Sequence, residues 1–262
     1  MKDFVHKQMV NIIGTNVHVG DLDTYCNTII NWAKCKKSKY ICNANTHMLV
    51  YRKLNYKFGE VLDSASLITP DGGPLVRFIK KEGHKKQTRA AGYDLTLKLI
   101  ELCEKNELSV GFFGSSNANL EIAKKNILLD YPNLKINILL SPPIFTDPKD
   151  VKNLIEPIQE SECNILFVFL GCPKQENWMM EYTKLLDMPL VGVGGVIDLI
   201  IGKFDRAPKF MRENSLEWIY RLYKEPKRLY KRYLLYNSLY LYFLLQFYLK
   251  RFFLKYLLRS KT

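Results

Sequence analysis

Between residue 10 and about residue 200 the chain alternates short aliphatic or β-branched runs with stretches of helical length, and nearly every apolar run stops at a glycine or a small polar cluster. This alternation constrains the fold more than any single residue does. Strand, helix and strand in succession return the chain in the same direction, so the pattern predicts an α/β fold with a largely parallel sheet and helices on both faces. The expected strands are Val10 to Val19, Tyr40 to Asn45, Ser66 to Thr69, Ser109 to Phe113, Leu134 to Leu140, Asn164 to Leu170 and Leu190 to Val193. Helices are expected near 22–36, 47–58, 74–81, 93–106, 117–130, 148–160 and 174–187.

In open α/β sheets ligands bind beyond the carboxyl ends of the strands, so the turns that end these runs should line one cleft. Asn43-Ala44-Asn45 follows one strand, and Pro70-Asp71-Gly72-Gly73 follows another. The second turn holds Asp71 open to a ligand, either as a turn aspartate or as a general base. Gly111 to Ser116 is a strand-to-helix turn whose backbone N–H groups could hold a pyrophosphate, although it also reads as a simple tight turn. Gly192 to Gly195 permits close backbone approach in the same way, with Asp198 either accepting from a uracil or ribose donor or opening a helix. In Leu170 to Trp178 an apolar strand delivers Gln175 and Glu176 to the first turn of a helix, where both suit sugar hydroxyls, while Trp178 packs behind. A helix with Glu in its first turn is the simpler reading. Arg89 either grips phosphate bidentately or pairs with Asp94. Asp21-Leu22-Asp23 matches the D-x-D of metal-dependent sugar-nucleotide enzymes, but its position after Gly20 makes Asp21 a helix N-cap.

Charge divides the chain. The net charge is +13, yet residues 1–202 carry 24 Lys+Arg against 22 Asp+Glu, and residues 203–262 carry 15 against 4. An excess of this size calls for an anionic partner. With 47% hydrophobic and 13% aromatic residues the chain is too apolar to be disordered. The amino-terminal MKDFVHKQMVNIIG lacks the apolar core of a secretory signal, which predicts a cytoplasmic location. Six cysteines form no C-x-x-C pair and are expected to be reduced; four histidines without H-x-x-x-H spacing give no zinc site. Near the carboxyl end, Tyr233 to Leu249 is 17 residues without a charge. As a helix it spans about 25 Å, short of the roughly 30 Å of bilayer hydrocarbon, so an interfacial helix is expected rather than a spanning one. Ser238, Tyr242, Gln246 and Lys250 give it a polar stripe. Lys250, Arg251, Lys255, Arg259 and Lys261 would contact anionic lipid.

Taken in order, Asn43-Ala44-Asn45, Pro70-Asp71-Gly72, Arg89 to Asp94, Gly171 to Glu176, Gly192 to Asp198, Gly202-Lys203-Phe204-Asp205-Arg206-Ala207-Pro208, Leu216 to Leu222 and Glu225 to Arg228 resemble the WecG/TagA/CpsF bacterial glycosyltransferases. The likeness covers about residues 10 to 233. It implies an inverting, metal-independent transfer of an N-acetylmannosamine-type sugar from a UDP-sugar to a polyprenyl-diphosphate-linked acceptor, in cell-envelope, teichoic acid or capsular polymer synthesis. It implies no cofactor, allows a homodimer, and makes the position of Asp71 the base. Asp71, Asn45, Arg89 and Gln175 are then the expected catalytic residues. Asn43, Gly114, Gly171, Glu176, Gly194, Gly195, Asp198, Arg221, Arg228 and Arg232 are expected to hold substrate. This chain has Asn43 where the family often has Thr. The expected organisation is a Rossmann-like catalytic domain over 1–204 and a basic helical appendage over 205–262 that completes the site and attaches to the inner membrane face. A nicotinamide oxidoreductase is disfavoured because no G-x-G-x-x-G with its ribose-binding acid occurs. A nucleic-acid binder built on the basic tail is the other alternative, and the uncharged Tyr/Leu/Phe run argues for lipid over nucleic acid.

Overall fold

Strand β3 (Lys39–Ala44) sends Tyr40, Cys42 and Ala44 into one apolar cluster and Ile41 into another. A strand buried on both sides belongs inside a sheet covered by helices on both faces. The computed structural model, which describes residues 8–142 and 148–259, has this architecture. After an amino-terminal pair, β1 (Met9–Ile12) and β2 (Thr15–His18), come β3, β4 (Leu67–Pro70), β5 (Ser109–Phe113), β6 (Lys135–Leu140), β7 (Ile165–Val168) and β8 (Pro189–Gly192). The last six form one sheet in the order β4-β3-β8-β7-β5-β6, every neighbouring pair parallel.

One face of the sheet is covered by α2 (Thr46–Leu54), α3 (Tyr56–Asp63), α4 (Gly73–Lys81), α7 (Pro148–Glu160) and α8 (Lys174–Tyr182). The other is covered by α1 (Leu22–Lys34), α5 (Gly92–Lys105), α6 (Asn117–Asp130) and α9 (Val196–Ile200). The chain leaving β3 turns into α2 on the first face, while the chain leaving neighbouring β8 turns into α9 on the second. Adjacent parallel strands whose exits diverge in this way open a crevice at their carboxyl ends.

Two expected elements differ from those observed. The run Val10 to Val19 is a hairpin, with Val10 opposite Val17 and Ile12 opposite Thr15. Its two-residue turn puts Ile13 at φ 44° and Gly14 at φ 98°, the backbone a tight hairpin needs. The helix expected over 47–58 is broken at Asn55, whose side chain accepts from the Phe58 N–H at 3.1 Å and starts α3 afresh.

The basic end of the chain forms α10 (Lys209–Glu213), α11 (Glu217–Lys224) and α12 (Pro226–Arg259), the last 34 residues long. One side of α12 packs onto the first core through Tyr236, Leu239, Tyr240, Phe243, Leu244 and Phe247. Thr46 donates to Asn237 at 3.1 Å, His47 meets the edge of Tyr236 at 4.2 Å, and Arg251 grips both oxygens of Glu82. The opposite side exposes Leu234, Leu235, Leu241, Leu245, Leu249, Phe252 and Phe253. Ser238, Tyr242, Gln246 and Lys250 are exposed too, and Gln246 donates to the Tyr242 hydroxyl at 2.7 Å. Among the described residues no helix is long and apolar enough to cross a membrane. Lys261 lies outside the described residues, as does His6.

Candidate active site

A cavity of about 850 Å³ occupies the crevice between β3 and β8 and is roofed by α11 and α12. Its floor is the set of turns that end the strands. Asp71 follows β4 directly, and its N–H donates to the Ala44 carbonyl at 2.8 Å, tying the two turns together. Arg89 donates through Nε to the Asp71 main-chain oxygen at 2.6 Å, with Nη2 3.7 Å from the Asp71 carboxylate. Arg89 therefore holds both the backbone and the side chain of Asp71. Burial raises the Asp71 pKa above the usual aspartate value, opposed by the nearby positive charges of Arg89 and Arg221.

Beyond β7, Gly171 adopts φ 77° and donates its N–H to Gln175 Oε1 at 3.2 Å. Gln175 Nε2 in turn donates to Glu176 at 2.7 Å. Gly194, at φ 51°, lies close to both: a Cβ there would be 3.3 Å from Gln175 Oε1 and 3.4 Å from the Gly171 Cα. These small residues let two turns touch beneath the cavity floor. Gly195 precedes α9, and Asp198 in its first turn pairs with Lys203 at 3.2 Å.

The cavity thus collects Asn43, Asn45, Asp71, Arg89, Gly171, Gln175, Gly194, Gly195, Asp198, Arg221, Arg228 and Arg232. It does not include Gly114 or Glu176. Gly114 packs its turn against the backbone of Phe169 and Leu170, where a Cβ would come within about 3 Å. Glu176 is fully buried behind Gln175, and burial raises its pKa. Asn45 lines the cavity while its side chain caps α2, accepting from Met48 N–H at 3.1 Å. Asn43 is saturated internally: its amide nitrogen donates to Thr69 Oγ1 and Ala90 O, and its oxygen accepts from Gly92 N–H, each at 2.9 Å. Trp178 stacks on Phe113 at 4.3 Å. Asp21 accepts from the N–H and hydroxyl of Thr24 at the start of α1, as an N-cap does.

Asp94 is not the partner of Arg89. It pairs with Arg206, whose guanidinium also lies 4.7 Å above the Tyr93 ring. Arg89 instead donates to Glu217 Oε2 at 2.7 Å, and the other oxygen of Glu217 is 3.8 Å from Arg221 Nε. Glu217 is the residue that sequence reasoning missed. Its location in Leu216-Glu217-Trp218 reads as an ordinary acid in the first turn of a helix, and the contact with Arg89 spans 128 positions.

Arg228 forks onto Glu225 at 2.5 and 2.7 Å, whereas Arg232 faces the cavity with its buried Nε lacking a hydrogen-bond partner among the described residues. In all, six arginines and two lysines line the cavity against five carboxylates. A half-buried carboxylate is thus gathered among arginines at the carboxyl edge of a parallel sheet, where open α/β folds place their ligand sites. Residues 10–253 match the model of the glycosyl transferase WecG/TagA/CpsF family, and the chain belongs to that family.

Two relatives are instructive. A Bacillus spizizenii protein is 32% identical over 193 residues, 73% of this chain and 74% of its own length. A Staphylococcus aureus (strain MW2) protein is 27% identical over 191 residues, 72% and 74% of the two chains. Both are named N-acetylglucosaminyldiphosphoundecaprenol N-acetyl-beta-D-mannosaminyltransferase.

Proposed function

We propose that this glycosyltransferase moves an N-acetylmannosamine-type residue from a UDP-sugar to a polyprenyl-diphosphate-linked acceptor, with inversion and without a metal, in the synthesis of a cell-envelope polymer. The observation that carries the reading is Asp71, held by Arg89 at the mouth of the β3–β8 crevice and facing the arginines of α11 and α12. Asp71 takes the proton of the acceptor hydroxyl as that oxygen attacks the anomeric carbon. The bond from that carbon to the UDP oxygen breaks on the opposite face, and UDP leaves with the electron pair. Arg221, Arg228 and Arg232 balance the charge that develops on the diphosphate, a task for which the guanidinium groups take the place of a metal ion. Gln175 and Asn45 orient the sugars, the backbone at Gly171, Gly194 and Gly195 admits the nucleotide closely, and Asp198 accepts from uracil or ribose.

The exposed leucines and phenylalanines of α12, bordered by Lys231, Lys250 and Arg251, suit the boundary of an anionic membrane, where the lipid acceptor resides. Transfer of radiolabel from a panel of UDP-sugars to a synthetic N-acetylglucosaminyl-diphosphate lipid tests the reading. UDP-N-acetylmannosamine should be the best donor, and turnover should change less than twofold with chelator. No transfer from any donor, or strict Mg²⁺ or Mn²⁺ dependence, would overturn it.

Glu217→Gln should separate positioning from chemistry. The amide keeps the shape but releases Arg89, so kcat should fall by about tenfold with little change in the KM for the UDP-sugar. Removing a negative neighbour also favours ionised Asp71, so the acid limb of the rate profile should move to lower pH. An unmoved limb would sever Glu217 from the base.

A further inference from the structure

The cavity does not stop at the arginines. It continues as a limb between α4 and α12, and its walls change character along the way. The two helices run side by side: Tyr233 of α12 lies near Asp71, Phe247 and Tyr248 meet Phe78 of α4 at 5.7 and 6.0 Å, and Arg251 reaches Glu82 just past the end of α4. Along α4, Arg77 is one turn beyond Gly73, about 6 Å further from the catalytic turn. Arg77 lines the cavity and, among the described residues, has no carboxylate within ion-pair distance.

Across from it on α12 stands Tyr240, only 3% exposed, with its hydroxyl lacking a hydrogen-bond partner among the described residues. Arg77 is close enough for its charge to act on that hydroxyl. A buried hydroxyl left unpaired is costly, so a partner from outside the chain is implied. Past this polar pair the limb is walled by Phe78, Leu244 and Tyr248, with Lys81 Nζ 4.6 Å over the Tyr248 ring. Read outward from Asp71, the order is base, cation with hydroxyl, then hydrocarbon-lined groove. A sugar joined through a diphosphate to a polyprenol has its groups in the same order.

We propose that the limb between α4 and α12 is the acceptor channel, in which Arg77 and the Tyr240 hydroxyl bind the acceptor diphosphate and Phe78, Leu244 and Tyr248 line the path of the first prenyl units. This rests on the function proposed above and adds to it a direction of entry. Donor and acceptor diphosphates are then held by different cations, the donor by Arg221, Arg228 and Arg232 and the acceptor by Arg77.

The test uses the full chain with Arg77→Gln and Tyr240→Phe, the latter removing only an oxygen that has no partner in the fold. With a short-prenyl N-acetylglucosaminyl diphosphate in detergent, the acceptor KM should rise about tenfold for Arg77→Gln and about fivefold for Tyr240→Phe. The UDP-sugar KM should stay within twofold. With an alkyl N-acetylglucosaminide that lacks the diphosphate, both effects should vanish. An unchanged acceptor KM, or a rise in the donor KM instead, would overturn the channel.

The same anionic chemistry is offered by bilayer headgroups, so flotation on phosphatidylglycerol vesicles without acceptor forms the second arm. Binding unchanged by Arg77→Gln supports the channel, and a loss matching the KM effect assigns Arg77 to headgroups and overturns it. If the wild-type chain transfers nothing, the proposed function fails by itself. Calorimetric binding of the diphosphate analogue to the same variants then decides the channel, with equal Kd values counting against it.

Discussion

Asp71→Asn should lower kcat by about three orders of magnitude, within the range for loss of a general base, while leaving the Kd for UDP-sugar within about threefold. The amide matches the carboxylate in size, and the Arg89 bond to residue 71 goes to the main-chain oxygen, so the turn keeps its anchor. What disappears is the ability to accept a proton from the acceptor hydroxyl. Single-turnover transfer with calorimetric measurement of UDP-sugar binding distinguishes the two effects, and turnover within tenfold of wild type would remove Asp71 as base. The wild-type rate also carries a signature. Because burial holds the Asp71 pKa above its ordinary value despite Arg89 and Arg221, the active ionised form is present above that raised pKa. Activity is lost as pH falls through it. The acid limb of kcat/KM should therefore lie above the usual aspartate value.

The second large effect concerns α12. Ending the chain before Pro226 removes Arg228 and Arg232 together with the aromatic side that covers α2 and α4. Transfer should fall by at least about a hundredfold, the scale of lost electrostatic stabilisation of a leaving group, even on a water-soluble acceptor. The truncation also uncovers apolar core, at a cost of about 2 kcal/mol for a side chain such as Phe78, so its melting temperature should drop. The double substitution Arg228→Gln/Arg232→Gln keeps that packing and isolates the charge. It should lose about a hundredfold in kcat with an unchanged melting temperature. Full turnover by either variant on a water-soluble acceptor would mean that the α12 arginines do not serve the leaving group.

The central strands were legible because β7 is an uninterrupted apolar run and β3 carries Tyr40-Ile41-Cys42 without a break, both of strand length and both ending in polar turns, as in a doubly covered sheet. The cleft followed from the same turns. The hairpin at Ile13 and Gly14 was not legible, because its apolar residues continue through the turn and no Asn-Gly or Asp-Gly marks it. Ion pairs were the least accessible. Arg89 lies five positions before Asp94 yet bonds Glu217, while Asp94 is taken by Arg206 from 112 positions away. Local spacing has no access to a choice made by tertiary packing. The same holds for α12, which is apolar on most of its circumference, so only the position of α2 and α4 decides which residues turn inward. Gly114 shows the converse: a glycine at the end of a strand that serves tight packing away from the cavity.

The turn at Gly73 has one more consequence. Ser215, at φ 61°, is pressed so closely onto Gly73 that any side chain at position 73 would collide with its hydroxyl. Glu217, two residues later, is what reaches Arg89. Asp71 and Arg89 are thus translated early and Glu217 and Arg221 late, and the later pair settles over the earlier only where residue 73 has no side chain at all. A nascent chain that has not yet reached α10 holds Asp71 through Arg89, on a turn still open to solvent. The crevice is therefore roofed only once α11 and α12 have been made and close over residues made long before.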